Sequence, residues 1–265
     1  MYFKSKRFLS LFAGIVSFFW LLAFAVPVLS QDSTIYVRLN SNPYASPFYI
    51  FSNTPSGESI DVTLQKGSTY TFVRSDNGHA FNIGANWRQA DSEIQTSSNG
   101  TGGAVAGVAS IGIDEQLSVT IPQNFSGDEL TYFCYPHSTM KSQFNVAELP
   151  TNWDFDNNGD IDALTDGLLL MRFAFGLRND ALTSSAIASN SNKTTRQIQN
   201  SFSLATSLAD IDGNGELDAL TDGLLLLRYL FDLRGDSLVN SAIAADASRV
   251  SAVDIEAYIA SLIPN

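Results

Sequence analysis

The chain has one cysteine, Cys134, and two histidines, His79 and His137, in 265 residues. A single thiol excludes an internal disulfide framework, so the folded cores must close by burial or with the help of metals. Positive charge is also scarce, with 15 Lys and Arg against 27 Asp and Glu and a net charge of −12. That balance argues against nucleic acid or an anionic membrane as partner. No Gly-x-Ser-x-Gly elbow and no phosphate-binding loop occurs. The many Asp residues fall into loops with metal-ligand spacing, so a glycosidase-like carboxylate pair has no support. A catalyst is therefore not expected.

Only one long apolar run is present, Phe8 to Val26, and it follows Lys4, Lys6 and Arg7. With Pro27 as a break and Val28 and Ser30 as small residues, residues 1–30 read as a secretory signal peptide cut after Ser30. An uncleaved anchor is the alternative, because the run approaches the roughly 20 residues that span a bilayer. The polar start Gln31-Asp32-Ser33 favours cleavage. The expectation is a secreted, periplasmic or cell-surface chain with no membrane segment after signal removal. In such a compartment a leftover thiol needs a role.

Residues 31–147 show short alternating or apolar runs separated by turn residues, the pattern of antiparallel strands. Strands are predicted at Thr34–Leu39, Tyr49–Ser52, Ile60–Leu64, Thr69–Arg74, Ala80–Ile83, Ser118–Ile121, Leu130–Cys134 and Ser142–Val146. Turn residues stand between them, as at Asp76-Asn77-Gly78 and Ser126-Gly127-Asp128. This implies a β-sandwich. Ser97–Gly107, rich in Gly, Ser and Ala, reads as a loop. Residues 148–153 read as a linker, and 154–265 as a second, helical unit whose composition shifts to Asp and Leu.

Cys134, His137 and Met140 lie in one short segment as Cys-x2-His-x2-Met, and His79 lies at the start of a predicted strand. Two imidazoles and a thiolate with a weak axial thioether suit a blue-copper electron-transfer site. Soft sulfur favours Cu(I), imidazole also accommodates Cu(II), and a rigid scaffold keeps rearrangement small when one electron moves. Zinc would accept the Cys and His ligands but gives Met140 no part. A nucleophilic Cys134 activated by a histidine is a further alternative without a surrounding signature. These residues resemble the cupredoxin family of plastocyanin- and amicyanin-like blue-copper proteins, over about residues 33–147. The resemblance implies a Greek-key sandwich with His79, Cys134, His137 and Met140 as ligands of one type 1 copper. It also makes His137 the exposed edge through which electrons pass. The long Gly84–Ser118 segment departs from the compact carriers of that family.

The second unit is a duplication with a period of 56 residues, and residues 162–170 and 218–226 are identical. Each copy carries an EF-hand-like ligand spacing. The first calcium set is Asp154, Asp156, Asn158, Asp160, Asp162 and Asp166. The second is Asp210, Asp212, Asn214, Glu216, Asp218 and Asp222. The closing acid stands one place late, at the thirteenth position, behind Thr165 and Thr221 as potential helix caps. Ten of the 17 acids between 148 and 265 fall within these loops, so metal binding should couple to folding. Helices are expected after each loop and at Ala252–Leu262, with the repeats spanning 154–188 and 210–244.

The paired loops and leucine-rich helices resemble type I dockerin repeats, a small all-α paired EF-hand module. That resemblance implies a cohesin-like protein partner and bacterial export. Ala163-Leu164 and Ala219-Leu220 stand where that family's recognition residues lie, and Ser189–Ser207 reads as an inserted polar stretch. The composite expectation is a secreted copper protein that moves single electrons to an unknown redox partner and is attached through a calcium module. The alternative is a non-redox interaction protein, its sandwich binding carbohydrate or protein in extracellular polysaccharide degradation.

Overall fold

The computed structural model describes residues 33–42, 45–100 and 108–264. The expected signal peptide, 1–30, lies outside the described residues, as does 101–107 of the glycine-rich stretch. Alternation of apolar and polar residues sets the strands: β4 (Thr69–Arg74) buries Tyr70, Phe72 and Arg74, and β8 (Gln116–Thr120) buries Leu117 and Val119. With β1 (Ser33–Leu39), β2 (Tyr49–Ser52) and β6 (Gln95–Ser98) they form a five-stranded sheet ordered β2-β1-β4-β8-β6. The second five-stranded sheet is built from β3 (Thr63–Gln65), β5 (Phe81–Gly84), β7 (Ser110–Ile111), β9 (Glu129–Phe133) and β10 (Lys141–Ala147). Its order is β3-β10-β9-β5-β7. β1 runs parallel to β4, and β3 parallel to β10.

The two sheets close over an aromatic core. Phe144 stands 4.6 Å from Tyr132 and 4.8 Å from Phe51, and Phe72 stands 5.5 Å from Phe81. Such pairs contribute about 0.5–1.5 kcal/mol each beyond the area they bury. Arg74 is the exception in this core, with 1 % of its surface exposed. It pairs with Asp76 and donates to the carbonyls of Val37 (3.1 Å) and His79 (3.0 Å). The buried charge is thereby paired and hydrogen-bonded, the condition under which a charge tolerates burial.

All eight predicted strands are present within a few residues. Two more, β6 and β7, were not predicted, and Ser97 and Ser98 of the expected loop belong to β6. β6 sits at a sheet edge with Gln95, Ser97 and Ser98 exposed, so it holds by backbone pairing to β8 and carries no apolar signal.

The helical unit begins earlier than expected. Trp153, in the expected linker, is fully buried among Phe155, Ile255 and Ile259, and its indole donates to the Ile259 carbonyl at 2.8 Å. Each acidic loop runs into a π-helical turn, Ala163–Gly167 or Ala219–Gly223, and then into α1 (Leu168–Ala174) or, in the second copy, its counterpart. The first copy continues with α2 (Asp180–Thr183), α3 (Thr195–Leu204) and α4 (Thr206–Ala209). The second copy has α5 (Leu224–Leu230), α6 (Asp236–Val239) and α7 (Ala252–Ser261). The stretch expected to be a polar insertion thus contains α3, which buries Ile198 and Phe202 and is closed at its start by a capping box between Thr194 and Gln197. α3 and α7 are matching closing helices, so the repeats extend beyond 188 and 244.

α3 also lies against β10 and β3 of the sandwich, with an Arg196–Glu129 ion pair beside the contact. Within the helical unit the two copies meet at glycines. A Cβ on Gly223 would stand 3.0 Å from the Met171 Cα, and one on Gly167 would stand 3.4 Å from the Leu227 Cα. Both glycines have helical backbone angles, so alanine would otherwise be favoured there. Gly223→Ala is expected to destabilise by about 1–3 kcal/mol through overpacking, and by more than Gly167→Ala. Chemical unfolding in saturating calcium measures both, and equal or increased stability of Gly223→Ala would refute the close crossing.

Candidate metal centres

The sandwich centre depends on strand order. β5 and β9 are neighbours, with Asn82 opposite Phe133, so the turn that ends two residues before β5 and the residue after β9 emerge side by side. This brings His79 and Cys134 together across 55 positions of sequence. The β4–β5 turn is fixed by Arg74 on the His79 carbonyl and by Asp76, which accepts from the Leu39 amide at 2.7 Å. On the other side the segment after β9 folds back on itself. Cys134 N–H donates to the Met140 carbonyl (2.9 Å), and Met140 N–H to that of His137 (3.0 Å). Met140 is buried and His137 exposed.

Three ligand atoms converge. The Nδ1 atoms of His79 and His137 are 2.9 Å apart, and Cys134 Sγ lies 3.4 Å from the first and 3.3 Å from the second. The centre of a triangle with these sides is about 1.9 Å from each corner, close to the ~2.0–2.3 Å of metal–nitrogen and metal–sulfur bonds. The donor set therefore fits one metal ion. Burial pushes the Cys134 thiol up, with the backbone of His137, the Tyr49 hydroxyl and the charge of Arg74 opposing it. Burial lowers His79, with the adjacent His137 and Arg74 acting in the same direction. Neutral imidazoles are the form that binds metal. Sequence reasoning passed over Arg74 and Tyr49. A lone Arg ending an apolar strand, next to Asp76, was the available signal.

In the helical unit the carboxylates of Asp154, Asp156 and Asp166 bring oxygen atoms within 4.8 Å of one another, as do those of Asp210, Asp212 and Asp222. That spread is about twice a calcium–oxygen bond of ~2.3–2.6 Å. The oxygen donors therefore fit a calcium-sized ion. The expected late acids, Asp166 and Asp222, do reach their loops, and the π-helical turn is what admits the extra residue. Gly167 N–H bonds to the Asp162 carbonyl and Gly223 N–H to that of Asp218, each five residues back. Asp166 Oδ1 accepts from Phe155 N–H at 2.7 Å, and Asp222 Oδ1 from Ile211 N–H at 2.6 Å.

Thr165 and Thr221 do not cap helices, contrary to expectation. Their hydroxyls donate to Asp166 and Asp222, because Asp162 and Asp218 already occupy the cap positions. Asn158 and Asn214 accept from the amides of Asp160 and Glu216, which shapes the turn of each loop. Asp160, Asp162, Glu216 and Asp218 are exposed, and their carboxylates stand outside the converging clusters. Ala163 and Ala219 are buried, whereas Leu164 and Leu220 are each 65 % exposed. The exposed Phe175 and Phe231 repeat this symmetry one period apart.

No protein-family model and no curated protein matches the chain. Among solved structures, a mutant amicyanin in its reduced Cu(I) form aligns at 13 % identity and a TM-score of 0.25, over 44 % of this chain and 84 % of that one. Amicyanin from Paracoccus versutus (Thiobacillus versutus) aligns at 17 % identity and a TM-score of 0.21, over 32 % of this chain and 67 % of that one. A multicopper oxidase from Campylobacter jejuni, a metallo-oxidase, aligns at 16 % identity and a TM-score of 0.27, over 44 % of this chain and 30 % of that one. Among the described residues no helix is long and apolar enough to cross a membrane.

Burial pushes Asp166 up to about 6, despite the amides of Asp162 and Phe155, and also raises Asp156 and Asp222. A carboxyl raised in the folded state stabilises the metal-free fold at low pH and loses that contribution as pH climbs through its folded value. In chelator, the melting temperature is therefore expected to fall between about pH 4 and pH 7. Added calcium competes with the proton, so its stabilising effect should grow over the same range. Thermal unfolding with and without calcium at each pH measures both, and a metal-free melting temperature that rises with pH would refute the account.

Proposed function

We propose that this chain is an extracytoplasmic type 1 copper protein that carries single electrons, attached to its place of work by a calcium-organised helical module. The observation that carries the proposal is the convergence of His79 Nδ1, His137 Nδ1 and Cys134 Sγ, with Met140 buried in the same segment as Cys134 and His137. Copper bound by these side chains would supply one-electron chemistry between its cuprous and cupric states. The chain's own contribution is restraint. Arg74 and Asp76 fix the backbone at His79, the Cys134–Met140 hydrogen bonds fix the loop, and the aromatic core surrounds the thiol. His137, exposed at the rim, gives the site an edge toward a one-electron redox protein. Carriage is favoured over catalysis because Cys134 and Met140 are buried.

In the helical unit, calcium at Asp154, Asp156 and Asp166, and at Asp210, Asp212 and Asp222, would neutralise carboxylates that burial otherwise strains. The exposed Leu164, Phe175, Leu220 and Phe231 are apolar groups on which a cohesin-like protein partner could dock. The copper and calcium assignments stand independently, since no residue serves both.

Titration of the mature protein should give one copper per chain and an intense visible thiolate-to-copper band. Cys134→Ser should abolish that band while the sandwich stays folded by circular dichroism. A colourless complex, or no stoichiometric copper, would refute the electron-carrier proposal and leave the non-redox interaction protein as the better account.

A further inference from the structure

After β5 the chain makes a tight turn over Ala85–Ala90 that serves no pairing between the two sheets. Ala85 N–H donates to the Gln89 carbonyl at 3.0 Å and Gln89 N–H to that of Asn86 at 2.9 Å. Gly84 permits the approach, because a Cβ there would stand 2.1 Å from the Gln89 carbonyl oxygen. Arg88 has φ +59°, a left-handed conformation that a long side chain adopts only where its surroundings hold it. What holds it is the segment that carries the copper ligands.

The contacts fall at the two ends of that segment. Trp87 Nε1–H donates to the Cys134 carbonyl at 3.1 Å, and Arg88 Nε–H to the Tyr135 carbonyl at 3.1 Å. The Arg88 guanidinium lies between two rings, 4.3 Å from the centroid of Trp87 and 4.0 Å from that of Tyr135. At the far end of the segment Lys141 Nζ donates to Asn86 Oδ1 at 3.0 Å. One turn thus grips the backbone at Cys134 and Tyr135 and the first residue beyond Met140. Within the segment itself the Cys134 carbonyl receives only the His137 amide, at 3.3 Å.

We propose that Trp87 and Arg88 are positioning residues for the copper centre, resting on the electron-carrier proposal above. By fixing the Cys134 and Tyr135 carbonyls they set the direction of Cys134 Sγ and keep it fixed between the two oxidation states. Groups behind metal ligands commonly govern affinity in this way, and losing one costs about 10–100-fold in binding. Trp87 and Arg88 touch no ligand side chain through a metal-binding atom, so their effect passes through the backbone.

The test uses the mature full chain as wild type, Trp87→Phe and Arg88→Lys. Trp87→Phe keeps a ring and removes the N–H donor. Arg88→Lys keeps the charge and removes the Nε–H and the planar face. Each variant is expected to bind copper at least about 10-fold more weakly in chelator competition, with a shifted visible band and reduction potential. In the metal-free protein the amides of His137 and Met140 should exchange hydrogen faster than in wild type, with the melting temperature little changed. Arg88→Lys, on the surface, carries the test alone if Trp87→Phe does not fold. Variants with wild-type affinity, band, potential and exchange would overturn the inference and leave the copper assignment intact. A wild-type chain that takes up no copper would overturn both.

Discussion

The pairing of β5 with β9 is the constraint on which the sandwich centre depends. Without it, His79 and Cys134 have no reason to meet. With it, a turn before one strand and a loop after its neighbour open at the same end of the sheet. Asn82 reinforces the pair by donating its side-chain N–H to the Phe133 carbonyl at 2.9 Å, inside the core. The buried Arg74 then draws the turn inward, linking the carbonyls of Val37 and His79 across the sheets. A guanidinium is suited to this because its donors are fixed in one plane and its charge is not lost at ordinary pH. The approach of His79 to Cys134 is therefore a consequence of strand pairing and of side-chain hydrogen bonds to the backbone.

The helical unit is built on the opposite arrangement. Its loops are also shaped by hydrogen bonds, with Asp154 accepting from Asn158 and Gly159 and Asp210 from Asn214 and Gly215. Yet those bonds gather like charges, and Asp156, Asp166, Asp212 and Asp222 are fully buried. Amide donors offset part of the burial of a carboxylate, but not the repulsion between neighbours. Removal of metal should thus be felt unequally. On the proposed assignments, the sandwich would lose an ion held by three converging side chains, whereas the helical unit would lose the charge that offsets its buried carboxylates.

How much of this was legible in the sequence follows from rarity and repetition. Cys134, both histidines and Met140 were visible because each residue type is scarce, and their spacing left few chemistries to consider. The acidic loops were visible because they occur twice. β6 was hidden because an edge strand of Gln, Thr and Ser has no apolar alternation to display. α3 was hidden by its polar composition, although Thr194 and Gln197 form a capping box and Ile198 and Phe202 stand one helical turn apart. A comparison with α7 one period later would have exposed it. The Ala85–Ala90 turn gave no signal at all, since Arg88 takes a conformation that composition assigns to glycine or asparagine.

The π-helical turns join these observations into one mechanism of assembly. A regular helix would carry Thr165 and Thr221 to the place where each loop needs its closing acid. One extra residue, absorbed by a wider turn, carries Asp166 and Asp222 there instead. The same widening ends at Gly167 and Gly223, whose missing side chains let each turn rest on the opposite helix at Leu227 and Met171. The acid that closes a loop and the glycine that joins the two copies are thus adjacent residues in one turn. Ordering of either loop fixes the surface on which the other copy packs, so the duplicated unit holds together as a pair rather than as two separate loops.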